Sequence, residues 1–198
     1  MVKPASALEG YVVPGQFGQL GGQGPAIILQ EISGAYLTQL SFFKAQKPKI
    51  NGFLHEEFGC KLPNAGQMDY GKKGRKGVAV FRADPSKAMV ISSAPLQDVD
   101  PKFYPLDLSD ARTFICVSGS ASADLLARLA AVDVRQSHFQ DGDILTTGIH
   151  HIAVQIWRHK GDFILILPRS FAASLYQLIT EIAGQFGYEV KPATNWTL

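Results

Sequence analysis

Cysteine is scarce: Cys60 and Cys116 are the only two, too few for a disulfide framework or a multi-cysteine zinc site. An excess of charge of one sign is lacking too. Nineteen basic against 17 acidic residues leave a net charge of +2, so nothing global points to a nucleic-acid or membrane-surface protein. No apolar run approaches the ~18–20 residues of a membrane span, and no signal-peptide pattern opens the chain. What is present suffices for a core. Hydrophobic residues make up 46% of 198 positions and charged residues 18%, which excludes wholesale disorder. That length fits one compact domain or two closely packed halves. The expectation is a soluble, cytoplasmic globular protein.

Breakers crowd the first 25 residues: Gly10, Gly15, Gly18, Gly21, Gly22 and Gly24, with Pro4, Pro14 and Pro25. Glycine costs backbone entropy and proline removes a donor, so an extended arm is expected rather than a helix or strand. Leu8, Tyr11, Val12, Val13, Phe17 and Leu20 suggest that the arm lies against a partner. From Ala26 the pattern turns to strands, Ile27 to Ile32 and Tyr36 to Phe43. A helix follows, with Ile50, Phe53, Leu54 and Phe58 on one face, Gly59 at its stop and Pro63 beyond. Val78 to Phe81 and Met89 to Ile91 read as strands joined by a turn at Asp84-Pro85-Ser86. Residues 94–109 show no clear period.

The second half repeats the theme. Thr113 to Val117 leads through Ser118-Gly119-Ser120 into a helix carrying Leu125, Leu126 and Leu129, with Ser120 as its expected cap. Strands are expected at Ile144 to Gly148, Ile152 to Trp157 and Phe163 to Leu167, the last two joined by a turn at His159 to Asp162. A final helix, capped by Ser170, carries Phe171, Leu175, Leu178, Ile179, Ile182 and Phe186 and stops at Gly187. Strands, helix and strands, twice over, predict an α+β fold of mostly antiparallel sheets with duplicated halves. The boundaries are an arm over 1–25, halves over about 26–110 and 111–190, and a C-terminal tail over 191–198.

The candidate chemistry is thin. Gly21-Gly22-Gln23-Gly24 lacks the Lys-Ser/Thr of a phosphate loop. Gly119-Ser120 lacks the flanking glycines of a nucleophile elbow, since Ser118 and Ser122 stand there. His150-His151, read as strand neighbours, would point to opposite faces and not share a metal. Both cysteines read as packing residues. Lys72-Lys73-Gly74-Arg75-Lys76 is the basic cluster; residues 44–87 net +6 and the remainder −4, which marks a solvated loop or a contact to an acidic surface. Arg169 sits at a helix start, where the dipole disfavours a cation by ~0.3–1 kcal/mol, so a carboxylate partner is expected. Read from these residues alone, the chain is a binding or assembly module.

Leu106-Asp107-Leu108-Ser109-Asp110-Ala111-Arg112-Thr113, followed by Val117-Ser118-Gly119-Ser120, resembles the gamma subunit of heterotetrameric sarcosine oxidase. The resemblance continues through Val132-Asp133-Val134, Phe139, Gly142 and His151-Ile152-Ala153-Val154 to Trp157. It is strongest from Pro168-Arg169-Ser170-Phe171-Ala172 to Phe186-Gly187-Tyr188-Glu189-Val190, and it includes Ser6 to Gly10 and Pro14 to Gly18. Lys87-Ala88, Cys116 and Ala111 depart from the family's usual pattern.

The resemblance implies a fold like the folate-binding domain of aminomethyltransferases and a role as a non-catalytic subunit. It implies FAD, FMN, NAD, zinc and tetrahydrofolate on other subunits and none in this chain. It also implies direct contact with an alpha subunit, with beta and delta subunits in the same complex. The parent complex would demethylate sarcosine oxidatively to glycine, yielding hydrogen peroxide and 5,10-methylenetetrahydrofolate or formaldehyde. The small subunit of N-methylglutamate dehydrogenase, or a stand-alone folate-binding protein, is the alternative, and for the latter Asp107 and Asp133 are the nearest acids for a pterin ring. Phe17, Ser109, Arg112, His151, Trp157, Arg169 and Phe171 become candidates for partner contact. No nucleic-acid or membrane partner is implied.

Overall fold

The computed structural model describes residues 5–22, 24–73, 77–97 and 99–197. In chain order, β1 (Gly15–Phe17), β2 (Ile27–Ser33) and β3 (Tyr36–Ser41) precede α1 (Lys47–Phe58). Then come β4 (Met68–Tyr70), β5 (Ala79–Asp84), β6 (Lys87–Ser92), β7 (Leu106–Asp107) and β8 (Arg112–Ser118). α2 (Ser122–Leu129) is followed by β9 (Ile144–Ile149), β10 (Ile152–His159) and β11 (Asp162–Pro168). α3 (Ala172–Ala183) and β12 (Tyr188–Asn195) complete the chain.

The chain divides into two compact units. One comprises Ala111–Thr194 with the described residues up to Ser33; the other is Gly34–Asp110 with those from Asn195. The first unit holds a seven-stranded sheet in the order β1-β12-β2-β8-β11-β10-β9. β8, β9, β10 and β11 pair antiparallel, as do β1 with β12 and β2 with β8. β2 and β12 run in the same direction: Ile27 N–H reaches Gly187 O, Gln30 Nε2 reaches Pro192 O and Ser33 Oγ reaches Thr194 O. A mixed, mostly antiparallel sheet results.

α2 and α3 cover this sheet through residues at helical spacing. Ala172, Leu175, Tyr176, Ile179 and Ala183 of α3 are buried, as are Leu125, Leu126 and Leu129 of α2. They meet alternate strand residues, Ile27 and Leu29, Ile115 and Val117, Leu165 and Leu167. The second unit repeats the device with a five-stranded sheet, β4-β5-β6-β3-β7, and one helix. Ile50, Leu54 and Phe58 of α1 pack with Leu40, Val78, Val80 and Val90. Gly59 ends α1 in the left-handed region (φ 67°), the conformation that only glycine takes without strain.

Several local expectations are corrected. Residues 15–17 form a strand despite their breakers, and residues 191–195 continue β12 rather than trailing as a tail. Both are held by pairing: Gly15 opposes Val190, and Phe17 opposes Tyr188. Ser120 does not cap α2. The turn is set instead by Gly119 (φ 100°), packed on the Ala26 carbonyl, which also accepts from Ala121 N–H at 3.1 Å. Ser170 lies inside a 3-10 turn, Arg169–Phe171, and α3 begins after it. α3 ends at Ala183, where the bonding tightens to Gln185 N–H on Ile182 O and Phe186 N–H on Ala183 O before Gly187 turns the chain at φ 71°. Leu106–Asp107 and Met68–Tyr70 are strands that hydropathy alone does not reveal, being three residues or fewer.

Candidate interaction surfaces

The N-terminal segment is built into the first unit. Leu8 is wholly buried, worth roughly 1.5–3 kcal/mol by area. Ser6 Oγ donates to the Glu31 carboxylate at 2.5 Å and accepts from Leu8 N–H at 2.9 Å. Gly18 (φ 80°) and Gly187 (φ 71°) allow backbones to touch: a Cβ at Gly18 would stand 2.4 Å from Gly184 O, and one at Gly187 2.6 Å from Gln19 O. Phe17 stacks on Tyr188 with centroids 5.3 Å apart. Arg169 Nη2 donates to the Ala5 carbonyl at 2.6 Å, so within this chain the expected carboxylate is replaced by a backbone oxygen. The segment still presents Tyr11, Val13, Phe17 and Leu20 outward.

The two acids considered for a pterin are both engaged at the surface. Asp133 accepts from Arg135 Nε (2.9 Å), Nη2 (2.6 Å) and backbone N–H (3.1 Å). The Arg135 hydrogen bonds hold that carboxyl well below the usual range. Asp107 accepts from the backbone N–H (2.9 Å) and hydroxyl (2.5 Å) of Ser109, whose oxygen in turn accepts from Leu37 N–H (3.0 Å). Neither acid is a buried free acceptor for a pterin, and Ser109 is occupied in pinning β3. Arg112 is half-buried at the start of β8 and donates to the Ala111 carbonyl. Trp157 is fully buried in β10, so its side chain is packing and not surface. Burial first, then Asp69, pushes the Cys60 thiol up to about 12; burial, then Asp162, pushes Cys116 up to about 11. Both remain neutral thiols at physiological pH. Among the described residues no group of three His, Cys, Asp or Glu is gathered for a metal ion.

His150 and His151 are not strand neighbours. They form the two-residue turn between β9 and β10, both at positive φ (48° and 66°), with ring centroids 5.9 Å apart. The next turn, Lys160-Gly161, uses glycine at its second position. Holding a non-glycine residue in the left-handed region costs on the order of 1–3 kcal/mol, and such strain gathers at sites under functional constraint. His151 and Phe171 are both exposed. The basic cluster at 72–76 lies outside the described residues from 74 onward.

A second apolar surface, absent from the sequence reading, lies in the other unit. Phe43 is 67% exposed and Tyr104 58%, and their rings meet edge to face at 6.4 Å. Phe43 is fixed through its backbone: its N–H donates to Gln46 Oε1 (2.7 Å), and its carbonyl accepts from Gln46 N–H (2.8 Å). Tyr104 is held at φ 43°, ψ 60°, closing a turn onto Pro101 O. Beside the pair a cleft of about 260 Å³ is lined by Ser41, Phe42, Lys44 and Ser86. A neighbouring cleft of about 420 Å³ lies between α1 and residues 100–103. The signal available was the Phe42-Phe43 doublet at a strand end, where alternation buries one ring and exposes the other.

The chain has an α+β, aminomethyltransferase-like fold, as the resemblance implied. Among solved structures it is similar to the heterotetrameric sarcosine oxidase from Corynebacterium sp. U-96 in complex with pyrrole 2-carboxylate, with a TM-score of 0.69 and 19% identity over 85% of this chain and 88% of that one. It is also similar to the glycine cleavage system aminomethyltransferase T from Bartonella henselae, with a TM-score of 0.59 and 15% identity over 94% of this chain and 57% of that one. No family model matches the sequence, and no curated protein does so either.

Proposed function

We propose that this chain is a non-catalytic, gamma-like subunit of a sarcosine oxidase-type complex, docking onto a large alpha subunit beside beta and delta. The observation that carries the reading is the fold match to a chain of a heterotetrameric enzyme, with 85% and 88% of the two chains covered, so that they are nearly equal in length. The motif resemblance at Asp107 to Thr113 and Pro168 to Val190 points the same way. FAD, FMN, NAD, zinc and tetrahydrofolate belong to the other subunits in this reading, which places the complex in the cytoplasm with sarcosine as its substrate.

The test is affinity purification of the tagged full-length chain from its native source. Recovery of a large flavoprotein complex that turns over sarcosine with peroxide release is expected, and the isolated chain should be inactive. Preference for N-methylglutamate would move the complex to that dehydrogenase class and keep the subunit role. A stable monomer that binds tetrahydrofolate at micromolar concentration would replace the reading with a stand-alone folate-binding protein, as the aminomethyltransferase likeness would then explain.

A further inference from the structure

The Phe43–Tyr104 pair has no role in the core of its own unit. Both rings are mostly exposed, and each projects from a backbone pinned by local hydrogen bonds. Exposed aromatics on a fixed backbone are the residue type that anchors protein interfaces, because they offer large area at small ordering cost. Leu106, 50% exposed on the edge strand β7 of the same sheet, extends the apolar supply.

The smaller cleft, which the pair lines, carries charge of one sign only. Lys44 lines the smaller cleft, and Lys49 and Lys102 line the larger. None of these three is in an ion pair among the described residues. Glu56 and Asp100 balance Lys49 and Lys102 in the larger cleft, so the excess positive charge lies at Lys44 and the start of α1. α1 has no acidic residue in its first turn, so the positive end of a 12-residue helix adds to the lysines. An apolar anchor with Lys44 and the positive start of α1 beside it selects a partner that is apolar at its centre and acidic at its rim.

We infer that this surface of the second unit docks an acidic peptide segment of a protein partner, with one aromatic or aliphatic side chain of that segment seated against Phe43 and Tyr104. The inference rests on the subunit reading for the partner's identity, the alpha subunit, and not for the chemistry of the site. Phe43 supplies the apolar contact, Tyr104 walls the smaller cleft, and Lys44 pairs with a carboxylate at its mouth.

The experiment has two arms. In the first, the full chain is titrated with a fluorescein-labelled peptide of Glu and Asp flanking a central Leu-Phe, with a lysine-for-acid version as control. Saturable binding is expected, weakened several-fold between 50 and 300 mM salt. It should fall at least ten-fold in Phe43→Ser and in Tyr104→Asn, where asparagine keeps the left-handed backbone, and in Lys44→Glu. Unchanged binding in variants whose melting temperature is wild-type overturns the proposal. So does a single-stranded oligothymidylate that binds more tightly and depends on the same residues, since the site would then read phosphate. In the second arm, the same variants are tagged for native purification. A wild-type chain that binds the peptide but recovers no complex refutes the subunit reading alone. A complex that assembles normally with all three variants refutes this docking site alone.

Discussion

Two aromatic pairs divide the molecule by what they are for. Phe17 and Tyr188 stack at 5.3 Å across the β1–β12 pairing and so close the edge of a sheet. Phe43 and Tyr104 meet edge to face on two turns of the second unit, and their ring contact closes no sheet edge. Around the first pair every unusual residue has a reason within the fold: Leu8 fills the core, and Gly18 and Gly187 admit a backbone. Around the second, the two exposed rings and Lys44, in no ion pair among the described residues, have no such reason. The difference separates residues that the fold requires from residues that it merely tolerates. His150-His151, strained and exposed, belongs to the second kind.

The largest expected effect breaks the comparison at its strongest point. Leu8→Ala removes a wholly buried side chain and should cost about 2–5 kcal/mol. In a chain of this length that lowers the melting temperature by about 5–15 °C. Phe43→Ser, an exposed site, should move it by less than about 1 °C. Thermal melts of the two side by side check this, and equal losses would show that Phe43 is also a fold residue. Gly18→Ala comes next. Its Cβ would meet the Gly184 carbonyl at 2.4 Å from a backbone at φ 80°, so the segment must lift away. A loss of about 1–3 kcal/mol is expected, with limited proteolysis cutting between residues 10 and 20 well before wild type.

The doubled strand–helix plan was legible because it is written in periodicity. Ile50, Leu54 and Phe58 at helical spacing, and Ile152, Val154 and Ile156 at alternate positions, each name one buried face. What escaped was set by contacts distant in sequence. The Ser120 and Ser170 caps looked sound locally, but the Ala26 carbonyl and a 3-10 turn decided those helix starts. The breaker-rich start reads as an extended arm for a partner until Glu31, 25 residues on from Ser6, supplies an anchor within the chain. His150-His151 looks like strand because histidine is unusual in a tight turn, where Asn-Gly would have announced the bend. Of the candidate site, the N-terminal apolar set was legible, whereas Tyr104 sits in a stretch without period.

A smaller effect sharpens the second class. Replacing His150-His151 with Asn-Gly gives the β9–β10 turn the residues its positive φ angles favour. Stability should rise by about 0.5–1 kcal/mol, seen as a melting temperature higher by about 1–3 °C. An unchanged or lower value would mean that the imidazoles make contacts offsetting their strain, and the turn would move to the fold's side of the comparison.

The smallest effect concerns the junction between the two classes. Arg169 was expected to need a carboxylate, and in this chain its guanidinium grips the Ala5 carbonyl at 2.6 Å. That bond ties the N-terminal segment to the entry of α3, yet it is exposed, where a single hydrogen bond contributes only about 0.5–1.5 kcal/mol. Lysine can still reach a carbonyl but loses the planar fork and the remaining donors. Arg169→Lys should therefore lower the melting temperature by no more than about 2 °C. If native purification of the same variant nevertheless loses the partner complex, the unused guanidinium nitrogens contact that partner, and Arg169 joins Phe43 and Tyr104. If stability falls as far as in Leu8→Ala, the residue is a fold anchor and its place in the interface candidates lapses.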